Sequence, residues 1–331
     1  MTHRFERRSL LLAAAGMASG LTASKAFAQT TASGYPNKAV KIIVGAAPGG
    51  LSDAYARLFA EHFTARFNLP CVVENRPGAS GIIATEAMLK SPADGYTLLS
   101  TTTGMLWQTR VLYRKLPFDL AKDIAPITVY PSGPLVVAVQ EKMGVRNLNE
   151  LIEYAKKTPC SMGSYAVASY PHVLADSLNR HHGCQIQAIQ YKGEGPMWVE
   201  MGAGQLQVCV GSYQAFATVR DKGVRPIAAT GAIRSPKLPE IPTLIEQGLK
   251  APIARLEGGL SLTANSAVPA EILDLLASVA VAGNDTPRAK AMRENFAIPD
   301  ATKGRAEALR QWREDAPVWI REVEALGVKL D

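Results

Sequence analysis

The sequence predicts an α/β protein of two lobes, each a mainly parallel sheet flanked by helices. Three observations carry that expectation. Strand, small-residue turn and helix follow one another repeatedly in both halves of the chain. Two Pro-rich stretches, 131–134 and 235–242, interrupt the alternation and read as connectors. Roughly 300 residues remain once an N-terminal leader is set aside, which suits two domains.

The leader is residues 1–28. Arg4, Arg7 and Arg8 form a basic start, 9–22 are apolar and small, and Ala26-Phe27-Ala28 is an A-x-A cleavage site. The apolar part is too short for a membrane span. Arg7-Arg8 before Ser-Leu-Leu points to twin-arginine export, and Glu6 keeps ordinary Sec export as the alternative. No Cys follows the cleavage site, so a lipid anchor is not expected. The mature chain then starts near Gln29 as a soluble exported protein.

Apolar residues make up 47% of the chain, enough for real cores. Arg4, Arg7, Arg8 and Lys25 against Glu6 account for +3 of the net +7, leaving about +4 after cleavage. With no block of Lys or Arg, that excess argues against nucleic acid and mildly favours anionic ligands. The cysteines are Cys71, Cys160, Cys184 and Cys209, none with the spacing of a zinc site. Cys71 and Cys209 lie in apolar runs as buried thiols. Cys160 and Cys184 each precede a strand, and export permits a Cys160–Cys184 disulfide.

The first unit spans 40–63. Val40, Ile42, Ile43 and Val44 make a short β-branched strand. Pro48, Gly49 and Gly50 force a turn, and Ser52 and Asp53 open a helix on which Tyr55, Leu58, Phe59, His62 and Phe63 recur at helical spacing. The free N–H groups and the dipole at such a helix start form a seat for a carboxylate or phosphate. The same stretch also fits a plain, well-capped βα connection. Next come a strand at 71–74, the turn 75–81, a helix at 82–89 and a strand at 96–100 ending in Thr101, Thr102 and Thr103. Residues 107–113 read as helix, 116–126 as loop, and 127–130 and 135–140 as strands, with a helix at 148–157 capped by Asn147. The second half repeats the scheme. Its strands are 162–165, 185–191 and 205–211, its helices 172–181, 197–201 and 216–222. A strand at 225–230 leads back toward the first lobe, 256–263 is a further strand, and helices 270–282, 287–296 and 306–326 end the chain. The lobes are therefore expected at 29–130 plus 231–331 and at 131–230. Strand C-terminal ends facing a shared cleft would make a clamshell.

Ordered segments along almost the whole mature chain carry a resemblance. They are Tyr35-Pro-x-Lys38, Pro48-Gly-Gly-x-Ser-Asp53 with Ala56-Arg57, Glu74-Asn-Arg-Pro-Gly-Ala-x-Gly81, Asp94-Gly-Tyr-Thr-Leu-Leu99, Leu116-Pro-Phe-Asp119 and Asp123-Ile-Ala-Pro-Ile127. Tyr191-Lys-Gly193, Gly195-Pro196, Gly204-Gln205 and the run from Arg234 to Thr243 follow. In these the chain resembles the periplasmic solute-binding components of tripartite tricarboxylate transporters, the Bug/TctC type. The resemblance implies a Venus-flytrap fold in the periplasm, a small organic carboxylate as ligand, no metal, no cofactor and membrane permease subunits as partners. The chain is expected to act as a monomer. One carboxylate grip matches Pro48, Gly49, Gly50, Ser52 and Asp53, and the opposing one Tyr191, Lys192 and Gly193. By position Ser80, Thr102 and Thr103, with Ala166, Ser169 and Tyr213, would read the rest of the ligand. Where such proteins commonly carry Asp at the end of a strand, this chain has Gly211, and Gln207 replaces another. Loss of that acid argues against an amino-acid ligand and for a dicarboxylate or an aromatic acid, with Trp107 or Tyr213 as stacking partner.

Two other functions compete. A ligand-presenting sensor subunit for a membrane signalling protein would look the same in sequence. A secreted hydrolase would use Ser52 or Ser80 with His172, but Gly78-Ala-Ser-Gly81 is one residue short of a G-x-S-x-G elbow. Structural readings stand beside the functional ones: Asp53 as a first-turn acid, Arg76 tying its loop, His172 opening a helix, and Trp198, Trp312 and Trp319 as packing residues.

Overall fold

Alternating inward side chains explain why β-branched runs in this chain become strands buried on both faces. The computed structural model describes residues 34–256 and 258–330; the expected leader lies outside them. The first sheet opens with β1 (Val40–Val44), leading into α1 (Leu51–Phe67). β2 (Cys71–Asn75) leads into α2 (Ile82–Leu89), and β3 (Thr97–Thr102) into α3 (Thr103–Leu112). A one-turn α4 (Leu120–Asp123) precedes β4 (Ile124–Pro131). The second sheet takes β5 (Val136–Gln140) and, after α5 (Leu148–Lys157), the pairs β6 (Cys160–Ser164) with α6 (Tyr170–His182), β7 (Ile186–Gln190) with α7 (Glu194–Gly202) and β8 (Val208–Gly211) with α8 (Tyr213–Ala217). β9 (Val224–Ala229) completes it. The chain then returns with β10 (Gly259–Asn265) and ends in α9 (Ala270–Ala282), α10 (Pro287–Asn295) and α11 (Arg305–Ala325).

The two sheets share one plan. The orders are β2-β1-β3-β10-β4 and β7-β6-β8-β5-β9. In each, three parallel strands carry the βα units, and two further strands pair antiparallel beside them. The two-lobed α/β expectation holds, with sheets that are mixed because β10 and β5 enter from outside the βα run. The strand at 224–229 stays on the edge of the second sheet, paired with β5. The stretch expected as loop up to 126 instead forms α4, capped by the Asp119 side chain on the Ala121 N–H at 2.9 Å, and the start of β4.

Along β1, Val40, Ile42 and Val44 pack with Tyr55, Phe59, Phe63 and Leu276, while Ile43 faces the other core with Leu99 and Trp107. That second core is continuous with Val137 and Met162 of the other sheet and Leu174 of α6. α11 helps to join them. Trp312 meets Trp107 edge-on at 6.1 Å, and Trp319 meets Tyr170 of α6 at 6.2 Å. Trp107 is thus a core residue and not a ligand-stacking one. A separate core under the second sheet holds Met197, Trp198, Cys209 and Phe216.

The expected Cys160–Cys184 bridge is corrected: both thiols are free and buried. The β6–β7 register puts Cys160 opposite Ile186, which leaves Cys184 outside the ladder with its thiol toward the Ile152 carbonyl at 3.8 Å. Titration of the denatured, unreduced protein should return all four thiols; two fewer would restore the bridge. Gly163 tests the packing. A Cβ there would stand 2.5 Å from Met197 Cγ and 2.9 Å from Cys209 Sγ. Gly163→Val should lower urea stability by about 2 kcal/mol.

Candidate functional site

In each sheet one parallel strand has parallel neighbours on both sides, β1 in the first and β6 in the second. The loops at the C-terminal ends of such strands border the crevice where open α/β sheets take ligands. Half of the residues expected to bind follow β1 or β6; the others lie at the C-terminal ends of the parallel strands β2, β3, β7 and β8 beside them.

In the first sheet the turn 47–50 is exposed, and Gly49 has φ +88°. Gly50 precedes α1 in extended conformation, and no side chain caps it among the described residues. The turn is held from beneath. The Asp53 carboxylate, in a residue only 4% exposed, accepts the Gly49 N–H at 3.1 Å, Arg57 at 2.9 and 3.0 Å, and Asn75 Nδ2 at 3.0 Å. Burial alone would raise this carboxyl; the bonds from Arg57, Gly49 and Asn75 outweigh it and hold the group below its ordinary value. Ser52 is buried, and its carbonyl accepts the Ser100 hydroxyl at 3.2 Å. Ser80 is left-handed at φ +49° between Gly78 and Gly81, both also at positive φ. Thr102 is exposed and caps α3 by accepting the Met105 N–H at 3.2 Å. Thr103 is turned inward, donating to the Gly259 carbonyl at 3.2 Å.

In the second sheet Gly193 precedes α7 at φ +100°, again without a side-chain cap, and donates its N–H to the Tyr165 carbonyl at 2.9 Å. Lys192 is exposed. The Tyr191 hydroxyl donates to Glu200 at 2.6 Å, so its ring runs along α7. The Ala166 carbonyl accepts the Ser164 hydroxyl at 2.8 Å, and the hydroxyls of Ser164 and the buried Ser169 are 2.9 Å apart. Tyr213 opens α8, half-buried against Phe216. His172 Nδ1 accepts the Ala168 N–H at 3.0 Å, and burial lowers its pKa, opposed in part by Asp176. His172 follows a strand of the second sheet while Ser52 and Ser80 follow strands of the first, and among the described residues no hydrogen bond joins it to either. The hydrolase constellation does not assemble. Arg76 ties its loop as expected, donating to Glu74 at 2.6 Å.

Gly211 requires a correction, because an acid is present at the end of β8 after all. It is Glu194, whose carboxylate accepts the Ser212 hydroxyl at 2.6 Å and the Ser212 N–H at 3.1 Å. A Cβ on Gly211 would lie 3.2 Å from Glu194 Cδ and 2.7 Å from Trp198 Nε1, so the missing side chain makes room for both. Burial pushes the Glu194 carboxyl up, and the Ser212 bonds recover part of the shift. Glu194, Ser212 and Asn75 are neighbours of the candidate site that sequence reasoning passed over. Asn75 lay within the Glu74-Asn-Arg-Pro segment; Glu194 directly follows the Gly193 turn.

Asp53→Ala should cost about 2 kcal/mol in urea unfolding, since it removes the hydrogen bonds that a buried carboxylate accepts from Gly49, Arg57 and Asn75. Because its pKa is depressed in the folded state, the stabilisation is full above the ordinary carboxylate range and is lost as pH falls through the lowered value. The gap between wild type and Asp53→Ala should therefore close in acid.

Known proteins share this fold and sequence pattern. A profile described as "Tripartite tricarboxylate transporter family receptor" matches residues 55–316. Protein BugT of Bordetella pertussis is 29% identical over 94% of this chain and 96% of its own length, and a UPF0065 protein of Bordetella bronchiseptica is 30% identical over 81% and 78%. A structure titled as an R. palustris protein with adipate superposes at a TM-score of 0.76, with 27% identity, covering 89% of this chain and all of that one. The structure of the periplasmic binding protein BugD gives 0.71 at 24% identity and 89% coverage, which speaks for the fold. The chain belongs to the tripartite tricarboxylate transporter receptor family, the Bug/TctC solute-binding proteins.

Proposed function

We propose that this chain is a periplasmic receptor that captures a small dicarboxylate in the cleft between lobes 29–130 plus 231–331 and 131–230, and presents it as a monomer to membrane permease subunits. The observation that carries the reading is the pair of helix starts at Gly50 and Gly193. Each leaves first-turn N–H groups without a side-chain cap beside an exposed glycine turn. The N–H groups that follow Gly50, at Leu51 and Ser52, would take one carboxylate, with Pro48 and Gly49 shaping the turn that Asp53 holds; Lys192 and the N–H groups that follow Gly193 would close on it. Ser80, Thr102, Ala166 and Tyr213 border the remaining space, with Thr103, Ser169 and Tyr191 supporting their loops. The family relative with adipate supports a dicarboxylate, and burial of Trp107 removes an argument for an aromatic acid. Charge-assisted bonds of about 1.5–3 kcal/mol each support affinity near micromolar after ordering. Closure follows from tighter binding to the closed form.

Gly50 offers a clean test. A Cβ there meets nothing nearer than the Ala47 carbonyl at 4.0 Å, so Gly50→Val should fold normally. In calorimetric titration with adipate it should bind at least about tenfold more weakly than wild type, with an unchanged melting temperature. Wild-type affinity in this variant would remove the first seat from the reading.

A further inference from the structure

Glu194 is the first residue of α7, so its side chain leaves the same turn whose N–H groups form the second seat. Several groups face it. Tyr165 approaches from the loop after β6 and Cys209 from β8; burial keeps both neutral, the thiol pushed up to about 12. Ser212 faces it from the start of α8. From α7 itself comes Trp198, 1% exposed, whose indole N–H has no partner among the described residues and points to where a Gly211 side chain would stand. No cation pairs with Glu194 among the described residues. Asp53, the third residue of α1 in the first sheet's layer, has Arg57.

We propose that Glu194 determines specificity by coupling ligand capture to a proton. A ligand carboxylate settling on the first turn of α7 is accepted together with one proton, which Glu194 takes from solvent. This rests on the carboxylate-binding reading above. Two carboxylates enclosed in one water-poor cleft disfavour each other's charge; Lys192 is placed toward the ligand, but no cation pairs with Glu194 among the described residues, so the one that yields is the one already disfavoured by burial. Once protonated, Glu194 becomes a hydrogen-bond donor in place of a repelling charge, and the unpaired indole N–H supplies a second donor beside it. A ligand presenting an ammonium group there would instead keep Glu194 ionised and bind without proton uptake.

The sign follows from linkage. Ligand raises the Glu194 pKa further, so affinity is highest below the free-state pKa and falls as pH rises from that value to the bound-state one. Calorimetric titration with adipate above about pH 6, where the ligand is ionised, in buffers of different ionisation enthalpy counts the protons. Wild type should take up close to one proton per ligand and lose affinity about tenfold per pH unit within the window. Glu194→Gln, which keeps an acceptor for Ser212, should bind with no uptake and no slope. Wild-type binding without uptake overturns the proposal even if the variant fails to fold, and uptake that persists in Glu194→Gln overturns it too; both leave the carboxylate reading standing. No binding of adipate or other saturated dicarboxylates by wild type overturns both.

Discussion

Much of this structure turns on how a helix start can be kept open. The first N–H groups of a helix need partners, and most helices supply them with a Ser, Thr, Asp or Asn cap. Here α3, α5, α8 and α10 are capped in that way, by Thr102, Asn147, Ser212 and Thr286. α1 and α7 are not, and neither are α2, α6, α9 and α11. α1 and α7 each begin behind a glycine. Their turns are fixed instead by an acid within the helix that reaches away from the opening: Asp53 back to Gly49 and Asn75, Glu194 across to Ser212. The Gly49 and Gly193 N–H groups are taken by Asp53 and by the Tyr165 carbonyl, and the first-turn N–H groups that follow them are left without a side-chain cap. The two differ in their charge balance. Asp53 is neutralised by Arg57, whereas Glu194 is held by neutral donors alone.

The parallel part of each sheet was legible because β-branched runs, glycine turns and helical spacing are local signals. Val40 to Val44 and the turn after it announce themselves within about ten residues. What was not legible is non-local. β10 comes from more than a hundred residues beyond β4, yet inserts between β3 and β4; nothing in Gly259 to Asn265 says which strands flank it. Trp107 resembled a cleft residue because it follows the threonine turn, and only the arrival of α11 with Trp312 shows that this helix face is interior. The Gly211 reading failed for a related reason. A glycine was taken as the loss of an acid, when it is the space into which an acid from another element folds.

The same plan of crossings limits how the lobes can move. The chain passes between sheets through 132–135 and again between β9 and β10. α11 adds a third tie, packing chiefly on α3 and β4 while Trp319 and Glu322 touch α6 of the second sheet. Glu322 is 7% exposed and meets Arg180 at 3.0 Å, and Arg180 also holds Asp176. Parting α11 from α6 would leave the buried Glu322 carboxylate without this partner, while the exposed Arg180 would keep Asp176. A clamshell that closes on ligand must therefore pivot without separating α11 from α6. The contact lies on the shared core, where Tyr170 also donates to the Ile253 carbonyl at 2.9 Å. Under the proposed closure the motion would be a rotation about this side of the molecule that brings the exposed glycine turns before α1 and α7 toward one another.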